Sequence, residues 1–171
     1  SSDVCSSDLL SIGGIAGYAK AMAKHKVNKT VEQLTQITAS TRAMFVGHKT
    51  YEALGNTNAK ALIKKAHLVP DDMMILSGNV LDKIENPYGG TVTFGVTDKN
   101  GSDNKAFTLT YDKIPQAACI DLASQDWGSS STSGLLKLKV NDTEDTKSFG
   151  VGKAVSACSN ATENTIIWTF Y

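Results

Sequence analysis

Three histidines, two groups of carboxylates and three cysteines are the side chains in this sequence best equipped for chemistry. His25, His48 and His67 have no cysteine or acidic companions at metal-ligand spacing, so each reads as a surface or packing residue. Asp71-Asp72 and the Asp142–Asp145 cluster attract calcium weakly at best, because neither follows the ligand order of an EF-hand loop; they read as solvated turns. Ser129–Ser133 is a serine run without a GxSxG elbow, and no GxxxxGK[ST], GxGxxG or HExxH motif occurs. No catalytic, cofactor-binding or metal-ligating residue is therefore assigned. The chain reads as a non-enzyme that needs no cofactor.

The cysteines say more. Cys119 and Cys158 stand 39 positions apart, with neither CxxC spacing nor a nearby histidine, which disfavours zinc. They are either two separate buried thiols or, the preferred reading, a structural disulfide, which implies an oxidising compartment. A bridge closing a loop of that size stabilises by about 4 kcal/mol. Trp127 and Trp168 offer an aromatic platform for a ligand, although core packing is the simpler role. Asn28, Asn100, Asn141 and Asn160 sit in N-x-[ST] triplets, which a chain rich in threonine and asparagine produces by chance.

Length and composition bound the rest. The 171 residues make one domain, and a hydrophobic content of 41% with 20% charged residues is that of a globular protein. Lys and Arg balance Asp and Glu and are scattered, which argues against a nucleic-acid or anionic-membrane surface. No stretch reaches the roughly 18 apolar residues of a membrane span. Leu9–Gly17 reads as the tail of an apolar segment whose beginning is absent. Ser1–Leu9 is polar and poorly helical, and it resembles one translation frame of a common sequencing adapter. It is set aside as a non-native replacement of the true start, and Cys5 with it.

The element that positions everything else is a long helix from Leu10 to Leu54. Val27, Val31, Leu34, Ile37, Thr41, Met44, Phe45, His48 and Tyr51 recur in steps of one face of a 3.6-residue period, without a proline, up to a stop at Gly55-Asn56. Residues 10–30 are expected to protrude, with Ile12, Ile15, Tyr18 and Met22 as an apolar strip exposed in the monomer. Residues 31–171 are expected to form the globular domain. Within it, 55–90 is a connection containing a short helix before Lys65, and 91–171 holds the sheet and disulfide region. Period-two alternation marks strands at Val92-Phe94-Val96, Phe107-Leu109-Tyr111 and Leu136-Leu138-Val140. Thr165–Tyr171 has apolar residues on both faces, as a covered central strand would. Asp112 is expected to cap a short helix through Ala118 and Leu122, and Asn141–Lys147 to be an exposed acidic loop. The fold class is α+β: a helical spine packed on an antiparallel sheet through Val31, Leu34 and Phe45 against Phe94, Leu109 and Trp168.

That order of parts resembles the type IV pilins, and the type IVb class in particular. Gly17-Tyr18-Ala19-Lys20-Ala21-Met22 resembles their spine. Val69-Pro70-Asp71-Asp72-Met73 and Asn86-Pro87-Tyr88-Gly89-Gly90 resemble their helix-to-sheet loop. Ile114-Pro115-Gln116-Ala117-Ala118-Cys119, with Ala157-Cys158 and Phe170-Tyr171, resembles their disulfide region and last strand. The resemblance covers Ser11 to Tyr171 and implies a major pilin, a structural subunit that polymerises with copies of itself through its N-terminal helix. It implies an extracellular filament for attachment, aggregation or conjugation, after an inner-membrane and periplasmic stage. A prepilin peptidase and a pilus assembly machinery would act on the full-length precursor. A minor pilin, a pseudopilin or a secreted adhesin domain is the alternative. The cleavage site, the methylated first residue and most of the apolar half-helix that the family carries are not in this sequence.

Overall fold

The computed structural model describes residues 2–128 and 134–171, with side chains from Gly17 onward. Helix α1 runs from Ser2 to Met44, 43 residues or about 65 Å of rod. It begins earlier than the composition of the first residues suggests, since no proline removes a backbone donor there. It also ends ten residues before the expected stop at Leu54. The chain leaves the helix through a turn at Phe45–Gly47, in which His48 N–H donates to the Phe45 carbonyl at 3.0 Å and Gly47 takes φ +83°. A left-handed glycine just past a helix is its ordinary terminator. The apolar spacing nevertheless runs on, because Phe45 and Tyr51 return to the core from the connector, their rings 5.1 Å apart. Met44 and His48, on the expected stripe, are exposed.

The connection over 55–90 is more structured than a loop. A 3₁₀ turn at Glu52–Gly55 leads to α2 (Ala59–Lys65), a second 3₁₀ turn at Asp71–Met73, and a hairpin of β1 (Met74–Ser77) and β2 (Val80–Ile84). Gly78, with φ +64°, turns the hairpin. Asn86 then holds the entry to the main sheet. Its carbonyl oxygen accepts the Tyr88 and Gly90 amides at 2.9 and 3.0 Å, and its amide donates to Asp112 O at 2.8 Å.

The main sheet is antiparallel with order β3-β4-β7-β5-β6. Its strands are β3 (Val92–Lys99), β4 (Ser102–Ile114), β5 (Leu135–Val140), β6 (Thr143–Asp145) and β7 (Asn164–Phe170). Strand β7 is the middle one. Phe107, Leu109 and Tyr111 of β4 pair with Phe170, Trp168 and Ile166 of β7, and all six point toward the spine side and are buried. The other face carries Thr93, Thr108, Thr110 and Ile167, partly covered at most, beside the buried Ala106 and Thr169, so the outer face of β7 is covered only in part.

Several local expectations change. Asp112 lies in β4 instead of capping a helix. Its carboxylate accepts the Thr91 amide at 2.6 Å and the Thr91 hydroxyl at 3.2 Å, a stronger use of a charge than a free helix end offers. Helix α3 (Gln116–Ser124) starts after Pro115, which serves as its N-cap residue. In β5 a register shift between Leu135 and Lys137 turns Leu135 inward and leaves Leu136 half-buried. The acidic stretch after Asn141 contains edge strand β6. A fourth helix, α4 (Val151–Ala157), packs Ala154 and Ala157 inward, and small residues without apolar periodicity gave no helix signal there. Ser129–Ser133 lies outside the described residues.

Candidate assembly site

The spine divides into two halves by what covers it. From Gly17 to Lys26 every side chain is exposed. Burial starts at Val27 and continues through Thr30, Gln33, Leu34, Ile37, Thr38 and Thr41, a stripe of one helix face. Tyr18 is 67% exposed and Met22 36%. At about 100° per residue, Tyr18 lies roughly 120° and Met22 roughly 80° around the axis from the middle of that stripe. Their exposure thus comes mainly from their place along the rod, before the point at which the head begins to cover it. Ile12 and Ile15 lie outside the residues whose side chains are described.

Along the packed half, Leu34 is buried, while Val31, Phe45 and Phe94 are half-buried at the margins of the same core. Leu109 and Trp168 lie fully buried in the sheet, directly opposite one another. Trp168 sits at the centre of an aromatic cluster, with Tyr111 and Trp127 edge-on at 5.5 Å each, and is no ligand platform. Trp127 lies half-buried over it and donates from its indole to the Leu122 carbonyl at 2.9 Å. Polar links also join the helix to the sheet: Arg42 Nε donates to the Tyr171 carbonyl at 2.7 Å, and another is fully buried. Tyr111 Oη donates to Gln33 Oε1 at 3.2 Å, and burial pushes the Tyr111 hydroxyl's pKa well up.

The disulfide closes the far side of the domain. Cys119 of α3 and Cys158, just past α4, are bonded at 2.03 Å, with Cα atoms 5.9 Å apart, and both are buried. Gln116 Nε2 donates to the Cys158 carbonyl at 2.8 Å, a second tie between the two segments.

Residues 24–171 match the protein family described as PilS N terminal. The chain belongs to that family. Its fold is also that of solved type IVb pilins. The chain is similar to the type IVb pilin of Salmonella typhi, with a TM-score of 0.63 at 22% identity over 82% of this chain and 97% of that one. It is similar to TcpA, the type IV pilin of Vibrio cholerae El Tor, with a TM-score of 0.56 at 16% identity over 86% and 99%. Over 114 residues it is 25% identical to the major structural subunit of bundle-forming pilus of Escherichia coli O127:H6, and equally to that of E. coli O111:H-. The chain spans about half the length of these curated relatives, 54%.

In this PilS-family chain the other candidate residues are occupied locally. His67, which the spacing leaves alone, does meet a carboxylate: its Nδ1 lies 3.1 Å from Asp71 Oδ1, both exposed. Asp72 faces Lys29 of the spine at 3.7 Å, Glu144 faces Lys137 at 3.6 Å, and Asp145 binds Lys153 at 2.8 Å. The Lys153 contact holds the Asp145 carboxyl's pKa below its ordinary value. Among the described residues no group of three His, Cys, Asp or Glu side chains converges as a metal site, and no helix is long and apolar enough to cross a membrane.

Sequence reasoning missed Thr30, Gln33 and Asn164 as structural residues. Asn164 is fully buried. Its amide donates to Ile114 O at 3.0 Å and Asn160 O at 2.7 Å, and its carbonyl accepts from Asn141 Nδ2 at 2.9 Å. The only sequence signal for it was an asparagine at the head of an otherwise apolar strand.

Proposed function

We propose that this chain is a structural subunit, the major pilin, of a type IVb pilus, and that it polymerises with copies of itself through the bare half of α1. The observation that carries the reading is the position of Tyr18 and Met22, exposed on the part of α1 that precedes its buried stripe. Such side chains gain by meeting neighbouring helices, at about 25 cal/mol per Å² of apolar surface removed from water. With Ile12 and Ile15 they form the proposed assembly strip. In this reading, the helix up to Lys26 is the protruding spine. The expected boundary after residue 30 moves back, because Val27 and Thr30 are buried, and the chain from Val27 on is the head that tiles the outside of the filament. Residues 1–9 are a non-native scar. The chain then acts by assembly and not by catalysis. Its place is an extracellular filament for attachment, aggregation or conjugation, reached after an inner-membrane and periplasmic stage. A prepilin peptidase and the pilus assembly machinery handle its precursor. The disulfide suits an oxidising exterior, and the curated relatives named for bundle-forming pilus support the role.

Expression of the full-length precursor with a type IV pilus assembly apparatus, followed by electron microscopy of sheared surface material, tests this. Antibody raised to the 171-residue chain should decorate filaments along their whole length. Labelling restricted to filament tips would exclude a major subunit. Labelling of soluble protein alone would exclude a pilus subunit altogether.

A further inference from the structure

A small basic hollow lies at the end of the spine farthest from the assembly strip, about 40 Å along the helix from Tyr18. Its volume is about 180 Å³. The connector after α1 supplies Phe45, His48, Lys49 and Tyr51, the β3–β4 hairpin supplies Lys99 and Lys105, and Tyr171 closes it. No aspartate or glutamate lines it. Elsewhere on this protein three lysines, Lys29, Lys137 and Lys153, meet carboxylates, while Lys60 and Lys64 bond to backbone carbonyls. Lys49, Lys99 and Lys105 form no ion pair among the described residues. Like charges gathered in one place repel one another, and an anionic ligand relieves that repulsion.

The aromatic walls narrow the kind of anion. Phe45 stacks edge-on to His48 at 5.7 Å and tilts against Tyr51 at 5.1 Å, and Tyr51 in turn rests on the buried Phe107 at 4.9 Å. The Lys99 ammonium lies 3.4 Å from the centre of the Tyr171 ring. The rings are thus braced from the core at the wall of the hollow, with one ammonium, that of Lys99, set against them. Aromatic faces receive the C–H surface of a sugar ring, and lysines act as point charges toward its acidic substituents.

We propose that this hollow binds an acidic saccharide, a sugar ring bearing sulfate or carboxylate groups. The site is separate from the assembly strip, so its test does not depend on polymerisation. The 171-residue chain, labelled with ¹⁵N, is titrated with a sulfated heparin disaccharide, with lactose as the neutral sugar and with inorganic sulfate as the bare anion. The disaccharide should shift the amides of Lys99, Lys105 and Tyr171, with an affinity that falls as salt is raised. Lys49→Gln/Lys105→Gln, both exposed positions, should weaken it at least tenfold with an unchanged melting temperature, while Tyr18→Ala leaves it unaltered. Lactose and sulfate should each bind at least tenfold more weakly than the disaccharide. Equal binding by sulfate would mean an adventitious ion only, and equal binding by lactose would remove the role of charge. Equal binding by the double variant, or shifts confined to another surface, would overturn the site.

Discussion

Tyr111 ties the sheet to the spine by a single buried hydrogen bond to Gln33, and its hydroxyl is kept neutral by burial. Its pKa is higher folded than unfolded, so this stability is complete below the unfolded tyrosine value of about 10. It declines as pH rises above that value, because the unfolded chain then loses a proton that the folded chain keeps. Tyr51 and Tyr88 are shifted the same way by burial. Alkaline titration followed by circular dichroism should therefore show stability falling above about pH 10, with a shallower fall in Tyr111→Phe. The variant should also lose about 1–3 kcal/mol at neutral pH, since Gln33 Oε1 is left buried without its donor. An unchanged alkaline limb would mean that Tyr111 does not set it. Cysteine spacing pointed to the bond between Cys119 and Cys158, because two thiols without histidine companions leave few other roles. Tyr111–Gln33 and the Asn86 and Asn164 hubs were not legible. A polar side chain with buried partners looks, in sequence, like one facing water. Asn141 and Asn160 even read as stray modification triplets while they serve the Asn164 hub.

At the scale of elements, the period-two strands of the hairpin could be read directly, because each keeps its apolar residues on one side through three alternations. The last strand could be read as central, although its outer face is covered only in part. Elements that depend on a bulge or on small residues could not. The shift in β5 exchanges Leu136 for Leu135, and α4 is built on alanines. The end of α1 was misread because Tyr51 continues the helical spacing from a connector, where its N–H pairs with Asn104 O at 2.8 Å. Leu34→Ala, at the middle of the packed stripe, should cost about 2–5 kcal/mol in denaturant unfolding. Phe45→Ala should cost less than the roughly 3–5 kcal/mol of a fully buried phenylalanine, because half-burial at the helix end leaves part of the ring in water. A larger loss for Phe45 than for Leu34 would place the centre of the core at the turn instead of the helix. Cys119→Ser/Cys158→Ser should lose about 4 kcal/mol with its 39-residue loop released, measured against the oxidised parent.

The whole molecule is a head and a rod sharing one helix. The same backbone is buried along one face from Val27 to Thr41 and carries only exposed side chains from Gly17 to Lys26. The sequence carried this division in its change of pattern, from scattered apolar residues among glycines and lysines to a regular stripe. It did not carry the point at which cover begins, Val27, which follows from where the sheet docks. That boundary makes the central claim testable by separating folding from assembly. In the full-length pilin, Tyr18→Asp/Met22→Asp places two charges on exposed positions before it. The measurement is filament yield by electron microscopy beside thermal melting of the same variant as a 171-residue chain. The account predicts that filaments are lost while melting stays within about 0.5 kcal/mol of the parent, as for a surface substitution. Filaments at parental yield, or a head destabilised as much as by Leu34→Ala, would contradict it.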